Sequence, residues 1–261
     1  MSIPLVVTGA TGRMGSFVLR LAQENPETVL AAALDREEQL KQLSLPGVLI
    51  GSDPKQILPQ VPGGVIIDFT LPVATMAMLE AALAYGNPMV ICTTGFSDEQ
   101  RARIAEAAKQ IPLMLSPNMS VGINALLDVL PRLVKALGDG YDIEIAEIHH
   151  KHKKDAPSGT ALRLAECLAD AKNWNLPEVA RYCREGITGE RPQAQIGLQT
   201  LRGGDVAGVH TIYFLGEGER IEITHHAHSR ETFAHGALRA ACWLHNQPAG
   251  RLYTLQDAMR S

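Results

Sequence analysis

The sixteen residues from Glu147 to Leu162 gather His149, His150, Lys151, His152, Lys153 and Lys154 just ahead of what reads as a helix start. Such a run attracts anions. The Ser158-Gly159-Thr160 turn would aim free backbone N–H groups, at the positive end of a helix dipole, toward whatever is bound there. A small substrate carrying carboxylates fits this chemistry. The residues before the run, Asp142 to Ile148, read as a strand, so His149 and His150 leave its end on opposite sides and take different roles. One donates a proton and the other orients substrate. Histidine suits proton donation because its ordinary pKa is near neutrality, and Lys153, four residues on, is placed to hold substrate or help deliver a proton. A plain solvated basic loop is the competing reading; against it, Pro157, Ser158, Gly159 and Thr160 follow the charges in helix-start order.

A second place for anions stands near the N-terminus. Gly9-Ala10-Thr11-Gly12-Arg13-Met14-Gly15 lies between an apolar strand, Leu5 to Thr8, and a helix from Arg13 to about Glu24. Glycines there let the backbone approach a pyrophosphate, and the helix N-terminus faces its charge. The spacing is G-x-x-G-x-x-G, which departs from the usual dinucleotide fingerprint. The next strand, Val29 to Leu34, ends in Asp35, twenty residues after Gly15, where an acid would take the adenosine ribose hydroxyls. Arg36 follows and can pair with a 2′-phosphate, so the dipeptide is compatible with NADH, NADPH or both.

The elements that must position these groups follow a βα alternation. Strands are expected at 65–69, 89–92 and 113–115, with helices at 73–85 and from a Ser97 capping box to about Lys109. That is an α/β, Rossmann-type, doubly wound parallel sheet. Ligands bind such sheets at the strands' carboxyl ends, which points to Phe69-Thr70, to Cys92, Thr93, Thr94 and Gly95, and to Ser116, Pro117, Asn118 and Met119. After a helix from about Val121 to Leu137 the pattern changes. Strands near 141–148, 196–202, 206–215 and 220–226, with a helix from Gly159 to about Lys172, describe a second, mixed and mostly antiparallel α+β domain. Domains are therefore expected at 1–120, for the dinucleotide, and 121–230, for substrate and oligomer contact, with the C-terminal helix region, about 231–261, as a candidate to return to the first.

Composition narrows the classes. At 261 residues and 46% hydrophobic the chain can bury a substantial core, and a net charge of −4 offers no general attraction to nucleic acid. Cys92, Cys167, Cys183 and Cys242 are dispersed with no CxxC pair, which suits reduced thiols in the cytoplasm, and no metal site is indicated. No apolar stretch approaches bilayer-spanning length, so no membrane is expected.

Gly-Ala-x-Gly-Arg-Met-Gly at 9–15, with Glu-x-His-His-x-x-Lys-x-Asp-Ala-Pro-Ser-Gly-Thr-Ala at 147–161, resembles the 4-hydroxy-tetrahydrodipicolinate reductases, formerly dihydrodipicolinate reductases, of bacterial lysine and diaminopimelate synthesis. The likeness continues through Asp68-Phe69-Thr70, Thr93 to Phe96, Ser120-Val121-Gly122, Arg184-Glu185-Gly186 and Ile223-Thr224-His225.

The resemblance implies His149 as general acid and Lys153 as second proton donor, with His150, Ser158, Gly159 and Thr160 on the substrate's carboxylates. It puts Gly9, Ala10, Thr11, Gly12, Arg13, Met14, Asp35, Cys92, Thr93, Thr94, Ser116, Pro117, Asn118 and Met119 against the dinucleotide, with Arg36 available for a 2′-phosphate. It further implies NADH or NADPH as cofactor, hydride transfer to C4 of a cyclic imine dicarboxylate, domain closure and a homotetramer. Leu71 stands where some relatives have an arginine, and Cys92 where a glycine is usual. A two-domain dehydrogenase acting on aspartate or homoserine, or a non-catalytic dinucleotide sensor, would share the glycine turn; neither requires the His-His-x-x-Lys run.

Overall fold

The computed structural model describes residues 2–41 and 43–260. In chain order the elements are β1 (Ile3–Thr8), α1 (Arg13–Glu24), β2 (Thr28–Leu34), α2 (Glu37–Leu40), β3 (Leu49–Gly51), α3 (Pro54–Ile57), β4 (Val65–Asp68), α4 (Pro72–Tyr85), β5 (Met89–Ile91), α5 (Asp98–Ala107) and β6 (Leu113–Leu115). There follow α6 (Val121–Leu137), β7 (Asp142–His149), α7 (Gly159–Ala171), α8 (Leu176–Val179), β8 (Ala180–Arg181), β9 (Ile196–Arg202), β10 (Gly208–Leu215) and β11 (Arg220–Ala227). The chain ends with α9 (Glu231–Leu244), β12 (Leu252–Tyr253) and α10 (Leu255–Met259).

The chain divides into two compact units, Met1–Val121 with Glu231–Ser261, and Gly122–Arg230. The first is built on a sheet of order β12-β6-β5-β4-β1-β2-β3 in which every pairing is parallel. Its central strands are apolar on both sides, and alternate residues feed two different cores. Leu5, Val7, Val65, Ile67 and Val90 join α1 and α9, whereas Val6, Ile66, Met89 and Ile91 join α4 and α5. Helices thus cover both faces, as the doubly wound expectation requires. Within the first unit, Ala234, Ala237, Leu238 and Ala241 of α9 pack with Val18, Leu21 and Ala22 of α1. Ser97 caps α5 through Gln100 in the capping box that the sequence signals.

The second unit holds a sheet of order β11-β10-β7-β9-β8. It is mixed, in keeping with the expectation: β10 runs antiparallel to β7 and β11 along its length, and β9 runs parallel to both β7 and β8. The cause is the α7 connection between β7 and β9, which returns the chain in the same direction. One sheet face, with Ile143, Ile145, Ile196, Leu198, Ile212 and Phe214, buries itself against Leu130 and Val134 of α6 and Leu164 and Leu168 of α7. Strand β7 alternates strictly between half-buried and buried residues along its length. Consequently Ile143, Ile145, Glu147 and His149 share the inner face, and the strand's polar end continues the line of its apolar core.

Candidate active site

Glu147 is 1% exposed and its carboxylate is surrounded by donors. Arg202, at the end of β9, grips it with both terminal nitrogens, Nη1 to Oε2 at 2.7 Å and Nη2 to Oε1 at 2.9 Å. The Ser158 N–H and the Thr200 hydroxyl donate to Oε1 at 3.0 and 3.2 Å, and His149 Nδ1 lies 2.6 Å from Oε2. Burial alone would raise this carboxyl; the Arg202 and His149 hydrogen bonds outweigh it and hold the pKa at about 2. Glu147 is therefore an anion at neutral pH, and an anion can only accept. Nδ1 of His149 must carry a hydrogen, leaving Nε2 as the nitrogen that exchanges protons.

His149 itself is buried. Desolvation lowers its pKa below the ordinary value, and the Glu147 hydrogen bond and charge act in the opposite direction. His210 of β10 meets its ring edge-on, with centroids 5.1 Å apart. Burial pushes His210 down to about 3, so that ring stays neutral, and its Nε2 lies 3.0 Å from Ser158 Oγ. Glu147 and His210 are direct register partners on neighbouring strands, which is why two distant segments of sequence converge here.

His150, the residue after the end of β7, is half-buried, with Nε2 3.3 Å from Arg230 Nη2 and its ring 6.2 Å from that of His152. Lys153 is half-buried and paired with Asp155 at 2.8 Å. Its backbone N–H donates to the His150 carbonyl, a turn that brings the chain back toward the strand end.

Ser158 departs from the expected direct grip on a carboxylate. It is 1% exposed, its N–H is taken by Glu147, and its hydroxyl accepts from Ala161 N–H at 3.1 Å as the cap of α7. It builds the site from behind. Gly159 and Thr160, the first residues of α7, remain nearer the surface, and nothing lies within 4 Å of where a Gly159 side chain would begin. Helix α7 thus offers its N-terminal turn to an anion without a Cβ in the way at Gly159.

In the first unit the glycine turn shows why its residues are needed. Gly9 has φ +65, and a Cβ on Gly15 would stand 2.1 Å from the Gly9 carbonyl oxygen, so only glycine lets α1 close onto the turn. Gly12 caps α1 without a side-chain hydrogen bond, and the first turn has no acidic residue, an end that suits a pyrophosphate. Asp35 Oδ2 accepts from both Thr11 N–H, at 2.9 Å, and Thr11 Oγ1, at 2.7 Å. Gly9, Leu34, Asp35, Arg36, Asp68 and Thr70 line one cleft at the carboxyl ends of β1, β2 and β4. These residues fit a dinucleotide. Ala10 is fully buried, Thr11 and Met14 are half-buried, and Gly12 and Arg13 are exposed.

The loops after β5 and β6 divide. Thr94, Pro117 and Asn118 reach the surface or near it, whereas the side chains of Cys92, Thr93, Ser116 and Met119 turn inward. Burial raises the Cys92 thiol well above its ordinary pKa, so it is a packing residue there. Any part these four play in holding a cofactor falls to their backbone. Thr93 joins a cluster that sequence reasoning missed: fully buried Asp68 accepts from the hydroxyls of Thr8 and Thr75 at 2.5 Å, Thr70 at 2.7 Å and Thr93 at 3.0 Å. Thr8 and Thr75 gave no signal, and nothing in the sequence joined them to Thr70, Thr93 and Asp68. Glu147, by contrast, had one, since a carboxylate two residues before a histidine on a strand must share its face. Arg202 and His210 are joined to it only by the tertiary fold.

Among the described residues no group of side chains is placed to hold a metal, and no helix is long and apolar enough to cross a membrane. A family model described as dihydrodipicolinate reductase, N-terminus, matches residues 3–119, and one described as dihydrodipicolinate reductase, C-terminus, matches residues 122–259. The chain belongs to the dihydrodipicolinate reductase family.

Relatives agree over nearly the whole length. The chain is 62% identical to the 4-hydroxy-tetrahydrodipicolinate reductase of Nitratidesulfovibrio vulgaris strain DP4, covering 98% of this chain and 99% of that one. It is 57% identical to the enzyme of the same name from N. vulgaris strain Miyazaki F, covering 99% and 100%. Among solved structures, a dipicolinate-bound dihydrodipicolinate reductase from Paenisporosarcina sp. TG-14 superposes with a TM-score of 0.81 at 25% identity, covering 98% and 99%. Membership of this family removes the aspartate or homoserine dehydrogenase and the non-catalytic sensor as readings of the chain.

Proposed function

We propose that this member of the family catalyses the NAD(P)H-dependent reduction of 4-hydroxy-tetrahydrodipicolinate to tetrahydrodipicolinate, a step of lysine and diaminopimelate biosynthesis. The observation that carries the mechanism is the placement of His149: its Nδ1 is fixed on a buried anion and its other nitrogen is left to exchange a proton at a strand end beside Lys153. Arrangements of this kind serve general acids.

The first unit is the dinucleotide-binding unit and the second binds substrate. Gly9 to Met14 and the first turn of α1 take the pyrophosphate, Asp35 takes the adenosine ribose and Arg36 a 2′-phosphate when one is present. Thr94, Pro117 and Asn118, with the backbone of Cys92, Thr93, Ser116 and Met119, line the remainder. When bound, the reduced nicotinamide supplies a hydride to C4 of the conjugated imine formed as the 4-hydroxyl leaves. His149 then protonates the resulting enamine carbon from Nε2, with Lys153 as the second proton donor. His150, Gly159 and Thr160 hold the carboxylates, while Ser158 fixes α7 and Glu147 behind them.

Homotetramerisation through the second unit is part of the same reading. The sheet face away from α6 and α7 bears Ile148, Leu201, Val209, Tyr213 and Leu215, of which Leu201 is 50% exposed, and such a face favours a partner. A reductive biosynthetic step and four free thiols both suit the cytoplasm. The direct test of the activity is oxidation of NADH or NADPH that depends on the product of dihydrodipicolinate synthase. No oxidation with either cofactor would end the proposal.

A further inference from the structure

The groups around His149 form an arrangement with two opposed effects. On its own strand, Glu147 binds Nδ1; from β9, Arg202 binds Glu147 through both nitrogens; from β10, neutral His210 touches the ring edge; and from the segment after β7, Lys153 adds a second positive charge. No hydrogen bond engages Nε2 among the described residues, and Gly208 keeps that side clear, since a Cβ there would lie 3.1 Å from Nε2. An isolated carboxylate beside an imidazole favours imidazolium strongly and makes it a poor acid. A guanidinium shared on the same carboxylate weakens that hold.

We infer that Glu147 and Arg202 are a pair of positioning residues for His149: Glu147 fixes its Nδ1–H form, and Arg202 tempers the carboxylate so that Nε2 still releases its proton. This rests on His149 being the proton donor, and it adds two residues that act through His149. Ser158 N–H and Thr200 hold the carboxylate's other oxygen, so the pair stays in one geometry.

The pair makes a prediction that a purely structural role does not. Removing the anion in Glu147→Gln should lower the pKa of His149, and removing the cation in Arg202→Met should raise it, each by roughly one unit. Arg202→Lys, which keeps the charge, should return the value toward the wild type. The measurement is a 15N NMR titration of the histidine rings in the full-length protein, which reads both the pKa and the nitrogen that keeps its hydrogen. Wild-type His149 should keep hydrogen on Nδ1 and titrate at Nε2, a result that needs no variant should Glu147→Gln fail to fold. Shifts of the same sign in the two variants, or hydrogen on Nε2 in the neutral wild-type ring, would overturn the pair. Alongside this, the basic limb of the kcat profile should follow the NMR shift in each variant, and kcat of Glu147→Gln should fall about 10- to 100-fold. If the NMR values move in opposite directions while the kcat profile stays put, the pair stands and the proton-donor assignment of His149 fails, so the two ideas are separately exposed.

Discussion

Asp35 Oδ2 lies 2.7 Å from the Thr11 hydroxyl and 2.9 Å from the Thr11 N–H, so the acid at the end of β2 is tied to the glycine turn after β1. Burial alone would raise Asp35; the Thr11 and Arg36 hydrogen bonds reverse that and keep it a stable anion. The Arg36 guanidinium, in contrast, is exposed, and among the described residues its ion pair is a long one, 3.8 Å to Glu38. A pair that loose contributes well under about 1 kcal/mol and gives way easily to a phosphate.

Arg36→Ala should therefore raise the Michaelis constant for NADPH by about tenfold, the scale of one lost charge-assisted contact, and leave that for NADH nearly unchanged. Steady-state kinetics with both cofactors decide the matter; equal losses would remove Arg36 from phosphate recognition.

The turn at 9–15 and the run at 147–161 were legible because their chemistry is local: glycines, a helix start and a cationic stretch are neighbours in sequence. The strands of the first unit were legible too, since Val65 to Ile67 or Met89 to Ile91, covered on both faces, must be apolar throughout. Elements such as α2, α3 and β12 were not, because two to four residues carry no period. The same limit hid the surroundings of Glu147. Thr200 and Arg202 lie 53 and 55 residues away and reach it only through the parallel β7–β9 register.

Two carboxylates should be needed for tight binding of substrate analogues. Pyridine-2,6-dicarboxylate should inhibit competitively against substrate, with an inhibition constant about tenfold or more below that of pyridine-2-carboxylate, since each charge-assisted contact contributes about 1.5–3 kcal/mol. Comparable constants for the two compounds would argue against recognition of a second carboxylate by His150 and the start of α7.

Acid should loosen the second unit in two stages. The lowered pKa of His210, about 3, means its contribution to stability is complete above the ordinary 6.5 and is eroded as pH falls toward 3, because the unfolded chain takes up the proton first. Glu147, at about 2, contributes fully above its ordinary 4.5 and loses that contribution between there and 2. Urea unfolding at pH 7 and pH 5 should show a loss of stability that is smaller in His210→Gln than in the wild type by about 2 kcal/mol. An equal loss in both would show that His210 takes up its proton in the fold as readily as in the unfolded chain.

The role of His149 is tested most directly by kcat of His149→Gln, measured beside a calorimetric titration of NADH. With the general acid gone, kcat should fall by roughly two to four orders of magnitude while NADH affinity stays close to wild type, because the dinucleotide contacts proposed above lie in the other unit. Lys153→Ala should harm both kcat and the substrate KM, and the double variant should lose less than the product of the two single effects if both groups serve one proton transfer. A His149→Gln enzyme with near-normal kcat would contradict the assignment of His149 as proton donor.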